Sequence, residues 1–257
     1  MDYNDTQMAY LGLTVTDSEL PEEVYDFVID PGHGGISEGE VYNGYNEADL
    51  MLEYAESLKT ALEAKGYKVK LTRDESNSET FTTDEYAPNG RISIACKTKA
   101  KYMLSLHVNG TSSSYSGFEI YTPNDCNLDL ANTMASNILN TGIGVSNLNS
   151  FKVSEGVYTK NFNNTLIASA SESASRNGYE PYNITTSTPY LYTIREVGGI
   201  ATNAYVDGRN TNYSANQYYQ SNQGIECYQI YVGHFGNNFD YIINSKDIFA
   251  GAIANSF

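Results

Sequence analysis

The sequence lacks tryptophan and has only three cysteines among its 257 residues. Cys96, Cys126 and Cys227 are odd in number and show no Cys-x-x-Cys spacing, so neither a complete set of disulfides nor a dithiol motif is indicated. We expect them to be small buried apolar residues. The aromatic content is mostly tyrosine, with 23 residues, and together with many Asn and Ser residues it suggests the polar surface of an exported protein.

The chain is also poor in basic residues: 15 Lys and Arg stand against 31 Asp and Glu, a formal net charge of −16. Without local runs of Lys or Arg no basic patch can form, which argues against a nucleic-acid partner. The same charge opposes a general attraction to anionic polymers, because like charges repel at long range. Contacts with such a substrate should therefore be local.

The sequence has no apolar run long enough to cross a membrane. Met1–Glu23 is acidic and lacks the basic start and apolar centre of a signal peptide, so we interpret it as a linker or tail. Hydrophobic residues make up 40% of the chain and charged residues 18%, which is typical of a globular protein. The remaining residues, 24–257, suit one domain that carries an insertion.

Hydrophobic periodicity predicts an α/β fold. Tyr25–Asp30 is a short apolar run typical of a core strand, apolar residues then recur at helical spacing from Met51 to Leu62, and Tyr67–Arg73 alternates as a second strand. This order implies a right-handed crossover between parallel strands. The further predicted elements are helices at 91–98, about 130–138 and 245–257, and strands at 101–108, 117–121 and 224–232. We therefore predict a mainly parallel twisted sheet with helices on both faces.

Residues 141–222 form a polar segment rich in Asn, Ser, Thr, Tyr and Gly. We interpret this segment as an insertion that forms loops or a small β subdomain beside a cleft. Within it we predict a helix at about 165–175 and short strands near 190–195. Its place between a core helix and the last strand suggests a wall or lid for the cleft.

Two of the three histidines follow strand-forming runs. His33 comes after the first strand, where a Pro-Gly pair breaks it, and His107 lies near the end of the strand at 101–108. Glu47 starts the helix between them. Ligands bind at the carboxyl ends of parallel strands, so these three residues are candidate metal ligands. Two imidazoles and a carboxylate with an open fourth position form a catalytic zinc site.

Each of these residues also has a simpler interpretation. A single histidine after a strand is usually a surface or packing residue, and Glu47 is a first-turn acid that the helix dipole favours. Asp30, beside the turn, either orients His33 by hydrogen bonding or caps the turn. Arg73 and Arg91 are expected to make structural ion pairs rather than to bind substrate.

The segments IDPGHGG, NEADL, LTR and SLHVN, together with Arg91, resemble the zinc-dependent N-acetylmuramoyl-L-alanine amidases of the AmiC-like type. The resemblance covers about 25–117 and again 224–257. It implies cleavage of the amide between N-acetylmuramic acid and L-alanine in peptidoglycan, with a muramyl peptide as the partner and Zn²⁺ as the cofactor. Its zinc ligands would be His33, Glu47 and His107. It also implies an extracellular or cell-wall location, with the signal segment absent from this sequence.

The C-terminal part departs from the family pattern. Family members place a catalytic glutamate in a strand that ends in Glu-x-Gly, followed by an aromatic residue and, close behind, Asn. Aligning Gly233 and Asn237 with that pattern puts Tyr231 at the glutamate position. A phenol with a pKa of about 10 is a proton donor at neutral pH and a poor base.

Other residues are candidates for the missing proton transfer. Glu226 lies five residues before Tyr231, and an odd offset points it to the opposite face of the sheet unless a bulge intervenes. Glu196 reaches the metal if its part of the insertion folds over the cleft, and is otherwise a partner for a cation such as Arg195. His234 is either a proton donor or a surface residue.

We therefore predict a zinc-dependent cell-wall amidase with Glu196 and Tyr231 as candidate catalytic residues. The alternative is a zinc-containing peptidoglycan-binding protein whose turnover is impaired by Tyr231. An intracellular hydrolase of a small amide finds no support in the sequence. The alignment predicts slow or undetectable wall hydrolysis, and a large gain in hydrolysis from the substitution Tyr231→Glu.

Overall fold

A computed structural model describes residues 24–76, 90–98, 100–124, 126, 128–169, 185–197 and 225–257. The predicted tail at 1–23 lies outside the described residues, as does most of the second half of the predicted insertion. The described helices include none that is long and apolar enough to cross a membrane.

Nine strands are present in this part of the chain. They are β1 (Phe27–Pro31), β2 (Val41–Tyr42), β3 (Tyr45–Asn46), β4 (Val69–Leu71), β5 (Tyr102–Asn109), β6 (Glu119–Tyr121), β7 (Lys152–Ser154), β8 (Val157–Tyr158) and β9 (Glu226–His234). Seven of them form one sheet in the order β4-β1-β5-β9-β6-β8-β7, and β2 pairs with β3. The pairs β1–β4, β1–β5, β5–β9 and β6–β8 are parallel, whereas β6–β9 and β7–β8 are antiparallel. The predicted mainly parallel sheet is confirmed.

The described helices are α1 (Glu47–Glu63), α2 (Arg91–Lys97), α3 (Leu128–Leu139), α4 (164–169), α5 (Tyr192–Glu196), α6 (Phe235–Asn244) and α7 (Lys246–Ala254). Helix α1 begins where Asn46 caps it by accepting a hydrogen bond from the backbone of Asp49. Its buried stripe packs with α3, α6 and α7 on one face of the sheet. Helices α2 and α5 cover the other face. Helices on both faces were predicted, and this is confirmed.

Alternation along the strands separates two hydrophobic layers. Ile29 of β1 and Leu104 of β5 point into the layer under α1, while Val28 and Met103 point into the layer under α2. Cys227 is buried in the second layer, as expected. The parallel pairing brings the carboxyl ends of β1, β5 and β9 to one edge of the sheet, where we expected the site.

The predicted insertion contributes to the main sheet, since β7 and β8 extend it beyond β6. Helix α4 agrees with the first half of the helix predicted at about 165–175. The short strands predicted near 190–195 are wrong, because this stretch is helical. The backbone N–H of Arg195 donates to the carbonyl of Leu191, and Ile194 and Val197 are buried three residues apart, which is a helical spacing.

Candidate metal centre and cleft

His33 lies in the turn after β1 with φ 58°, a left-handed conformation that is uncommon for residues other than glycine. The loop passes close to β5, since a Cβ atom on Gly32 would lie 2.6 Å from the ring of His107. The Nδ1 atom of His33 is 2.9 Å from the hydroxyl of Ser37. This contact leaves Nε2 of His33 facing Glu47, at 3.1 Å from its carboxylate.

Glu47, the first residue of α1, connects the two histidines. Its Oε1 atom is 3.0 Å from Nδ1 of His107, and its side chain is only 2% exposed. The backbone N–H groups of Glu40 and Val108 also donate to this carboxylate. Burial by itself would raise the pKa of Glu47, but hydrogen bonds with His107 and His33, and their charge, hold the pKa far below its usual value. Glu47 is therefore an ionised carboxylate between two imidazoles.

We call His33, Glu47 and His107 the His–Glu–His cluster. One ligand-type atom from each residue lies within 4.8 Å of the other two. Two imidazole nitrogens and a carboxylate oxygen are donors that suit a divalent transition metal. The contact of His33 with Ser37 fixes the ring orientation, as outer hydrogen bonds do at metal sites. The residues present therefore fit a metal ion.

Asp30 is fully buried below the cluster. Its carboxylate accepts hydrogen bonds from the hydroxyls of Thr72 and Ser105, and forms an ion pair at 2.8 Å with Arg91. Burial by itself would raise the pKa of Asp30, but the charge of Arg91 and these hydroxyl donors lower it. Arg91 also donates to the carbonyl of His33 at 2.7 Å. Asp30 thus acts on the backbone of the loop through Arg91.

Arg73, two residues after the end of β4, supports the same loop. Its guanidinium donates to the carbonyl oxygens of Gly32 and Ala48, and so links the loop to the first turn of α1. Arg91 makes the structural ion pair that we expected, whereas Arg73 binds backbone carbonyls. Both arginines hold the left-handed turn that presents His33.

Tyr231 lies directly opposite His107 in the β5–β9 pairing. The two ring centroids are 5.5 Å apart, and Gln229 donates a hydrogen bond to the phenol oxygen at 2.8 Å. Burial raises the pKa of Tyr231 further above that of an ordinary tyrosine. The strand position beside the cluster therefore carries a phenol that stays protonated at neutral pH.

Two other glutamates, Glu226 and Glu196, were candidates from the sequence. Glu226 starts β9, at the end of the strand remote from the cluster, and accepts a hydrogen bond from Tyr228. Tyr228 belongs to the layer under α1, so Glu226 lies on the opposite face from Tyr231, as predicted. Glu196 is the last residue of α5, and its side chain lies outside the described part of the structure.

Sequence reasoning missed Glu119 on β6. It pairs directly with Tyr231 across the antiparallel β6–β9 ladder and is only 3% exposed. Its Oε1 atom accepts a hydrogen bond from Ser146 at 2.7 Å and lies 3.4 Å from Nε2 of His234. A carboxylate between the apolar residues Phe118 and Ile120 was the available signal. Only the sheet order shows that it stands next to Tyr231.

Burial by itself would raise the pKa of Glu119. Hydrogen bonds from His234, Ser146, Tyr121 and Asn109 outweigh that effect and lower the pKa below its usual value. His234, at the end of β9, is 6% exposed, and its Nε2 atom is 3.2 Å from the side-chain amide of Asn109. The cleft thus has a second polar group, which we call the Glu119–His234 pair.

The profile of the N-acetylmuramoyl-L-alanine amidase family, Amidase_3, matches residues 27–196, about two thirds of the chain. The chain belongs to this family. The matched residues include the whole His–Glu–His cluster. They end before β9, which carries Tyr231 and His234.

Two of the relatives come from Bacillus subtilis. The sporulation-specific N-acetylmuramoyl-L-alanine amidase is 40% identical over 96 residues, which is 36% of this chain and 34% of that protein. The N-acetylmuramoyl-L-alanine amidase LytC is 36% identical over 94 residues, which is 36% of this chain and 18% of LytC. The chain therefore spans 34% and 18% of the length of these two relatives.

Solved structures show the same fold. The N-acetylmuramoyl-L-alanine amidase AmiC2 of Nostoc punctiforme superposes with a TM-score of 0.55 at 20% identity, covering 90% of this chain and 93% of that chain. The catalytic domain of CwlV from Bacillus (Paenibacillus) polymyxa gives a TM-score of 0.53 at 18% identity, covering 91% and 95%. At these identities the likeness concerns the α/β fold alone.

Proposed function

We propose that the protein hydrolyses the amide between N-acetylmuramic acid and L-alanine in peptidoglycan, in the cell wall or outside the cell. The observation that carries this proposal is the His–Glu–His cluster, which lies at the carboxyl edge of the parallel sheet in a member of an amidase family. Relatives named as N-acetylmuramoyl-L-alanine amidases support the same substrate class.

His33, Glu47 and His107 would hold a zinc ion. Zinc would supply Lewis-acid chemistry there, since it acidifies water and polarises a carbonyl group. The protein contributes the arrangement of the donors. Ser37 orients one imidazole, and two backbone N–H groups hold the carboxylate of Glu47 in place. This support reduces the reorganisation that binding would otherwise require.

The ring of Tyr231 lies beside that of His107, and its hydroxyl oxygen accepts a hydrogen bond from Gln229. In our proposal this hydroxyl donates a hydrogen bond to the negative charge that develops on the carbonyl oxygen of the substrate. Donors aimed at such an oxygen contribute about 10²–10³-fold to the rate in other hydrolases. The role differs from that of a base, and it fits a phenol.

Tyr231 also favours a second candidate function. A peptidoglycan-binding protein that holds zinc and a muramyl peptide but does not cleave it would need no base at this position. The two candidates share the cluster and the ligand. They differ only in turnover.

The test is digestion of purified peptidoglycan by zinc-loaded protein, with mass spectrometry of the soluble products. The amidase predicts stem peptides with a free amino group on L-alanine, and none of these products from the Glu47→Ala variant. Zinc content and muramyl-peptide binding are measured on the same samples. Bound zinc and bound muramyl peptide without release of stem peptides would favour the second candidate.

A further inference from the structure

We propose that the Glu119–His234 pair transfers the proton in this cleft, in place of the carboxylate that is missing at Tyr231. This inference rests on the proposed amidase function. Amide hydrolysis needs a group that accepts a proton from water and delivers it to the departing amine. Among the described residues of this sheet face, the pair is the buried carboxylate–imidazole contact next to the His–Glu–His cluster.

The sheet places the pair within reach of the cluster. His107, Tyr231 and Glu119 are directly opposite one another on three adjacent strands, and so their side chains share one face. With strands about 4.8 Å apart, the Cα atoms of His107 and Glu119 are separated by about 10 Å. The side chain of Tyr231 lies between them on this face, so His107 and Glu119 flank its ring.

A bulge brings His234 to the same face. His234 follows Tyr231 by three residues, and regular alternation would point it to the opposite side. The three-residue step from Tyr231 to His234 on β9 pairs with the two-residue step from His107 to Asn109 on β5, so the register shifts. His234 therefore contacts Asn109 and Glu119 on the cleft side. Bulges of this kind commonly redirect a side chain next to an active site.

The contacts favour one tautomer of His234. Glu119 is held as a carboxylate, which only accepts hydrogen bonds, and it faces Nε2 of His234. The imidazole therefore carries its proton on Nε2, and the amide nitrogen of Asn109, 3.2 Å from that Nε2 atom, is the group that donates to Glu119. This arrangement leaves the lone pair on Nδ1. Glu119 stabilises the imidazolium that forms when Nδ1 accepts a proton.

The proton transfer balances without a further reactant. The hydroxyl of water bonds to the carbonyl carbon, and the C–N bond breaks with its electron pair left on nitrogen. Nδ1 of His234 carries the remaining proton of water to that nitrogen. The acid and amine so formed then ionise to a carboxylate and an ammonium group. His234 is the catalytic residue in this step, and Glu119 is a positioning residue.

Tyr115 gives the pair a partial cover. Its ring stacks on His234 with centroids 5.9 Å apart and an interplanar angle of 26°, and it is 43% exposed. The cover limits the access of bulk water to the imidazole. Exclusion of water strengthens the electrostatic interaction between Glu119 and the imidazolium.

The first test measures the tautomer in metal-free protein, independently of activity. The chain has three histidines, so ¹⁵N-histidine labelling gives three ring systems, and the His234→Phe variant identifies the signal of His234. We expect the Nε2–H tautomer in the wild type and loss of this preference in Glu119→Gln. A Nδ1–H tautomer in the wild type overturns the proposal.

The second test compares the wild type with Glu119→Gln, His234→Phe and the double variant. Hydrolysis should fall by about 10²–10⁴-fold in each single variant, the typical contribution of general acid–base catalysis. The double variant should fall no further, because the two residues act as a unit. Zinc stoichiometry and muramyl-peptide binding should be unchanged. Glu226→Gln is the matched control, since Glu226 lies on the opposite face of β9 and should leave the rate unchanged.

The outcomes separate the two proposals. Full hydrolysis by Glu119→Gln and His234→Phe, with an active wild type, overturns the role of the pair and leaves the amidase function standing. An inactive wild type that binds zinc and muramyl peptide overturns the amidase function and, with it, the role of the pair. If Glu119→Gln does not fold, the rate of His234→Phe and the tautomer of the wild type decide whether the pair transfers the proton.

Discussion

The cleft has two halves that differ in their relation to the family. The half formed by the β1 loop, α1 and β5 carries the His–Glu–His cluster, and all of it lies within the matched residues. The half formed by β9 and β6 carries Tyr231 and the Glu119–His234 pair, and β9 lies beyond the match. In the first half the three residues that the family resemblance implies as ligands lie close together. In the second half the carboxylate is on the neighbouring strand.

The difference reflects how each half is constructed. Residues that coordinate a metal must converge on one point, so a shift of a single ligand destroys the site. A proton-transfer group needs only to reach the reacting atoms, and cross-strand neighbours on one face of a sheet are about 5 Å apart. A carboxylate on β6 instead of β9 can therefore still serve the same cleft. His234 carries the proton over the remaining distance.

The largest effect should come from a substitution that removes a proposed metal ligand in the first half. Glu47→Ala removes the carboxylate that contacts both His33 and His107. We expect zinc binding to be lost and peptidoglycan hydrolysis to fall to background, as measured by metal analysis and product release. The matched control is Glu63→Ala on the same helix, where the side chain is 44% exposed and pairs with Lys59. Retained zinc binding in Glu47→Ala would contradict the assignment of the ligands.

The second prediction tests whether proton transfer in the second half has passed to the Glu119–His234 pair or has been lost. The double substitution Tyr231→Glu and Glu119→Gln returns the carboxylate to the family position. We expect it to recover part of the roughly 10²–10⁴-fold rate lost in Glu119→Gln alone. Product release by the wild type, the two single variants Glu119→Gln and Tyr231→Glu, and the double variant is compared at equal zinc content.

Tyr231→Glu alone sharpens the same comparison. It places a second carboxylate directly opposite Glu119, and like charges in that position destabilise a sheet by about 0.2–1 kcal/mol. We therefore expect a lower melting temperature. In revision of the large gain predicted from the sequence, we expect little gain in hydrolysis, because the phenol that we propose as a hydrogen-bond donor is lost. A large gain from this single substitution would show that the Glu119–His234 pair does not supply the proton transfer.

The third prediction concerns the support of the first half. Asp30→Asn leaves Arg91 buried without its carboxylate, and breaking a buried ion pair costs about 3–5 kcal/mol. We expect the free energy of unfolding in urea to fall by this amount, and zinc affinity to fall with it because Arg91 holds the carbonyl of His33. Lys246→Met, which removes an exposed pair with Glu53, should cost less than about 1 kcal/mol.

The smallest effect is the pH dependence of stability. The folded-state pKa values of Asp30 and Glu119 are lowered, below unfolded values of about 3.9 and 4.3. The unfolded chain therefore binds more protons as the pH falls, and the stabilisation that is complete above roughly pH 5 is lost as the pH falls through the folded-state values. Thermal unfolding of Glu119→Gln between about pH 6 and 3 should show a shallower loss than the wild type. Equal slopes would contradict the lowered pKa of Glu119.

Much of the first half was predictable because its signals are local. Apolar residues at helical spacing and the cap at Asn46 define α1, and its first residue is Glu47. A Pro-Gly pair ends the first strand just before His33. The role of Asp30 remained open, because the contact that links it to the loop comes from Arg91, which lies 61 residues further along the chain.

The sequence by itself determined the α/β class, the first strand–helix–strand unit and the convergence of His33, Glu47 and His107, because periodicity and turn residues act over a few positions. Only the tertiary structure decided that α5 is a helix, since burial of Ile194 and Val197 against the sheet overrides their strand propensity. It also decided which strand lies beside β9. The bulge that turns His234 toward Glu119 depends on pairing with β5, and the position of Glu119 depends on antiparallel pairing with β6. Such pairings join residues more than a hundred positions apart, and no local pattern specifies them.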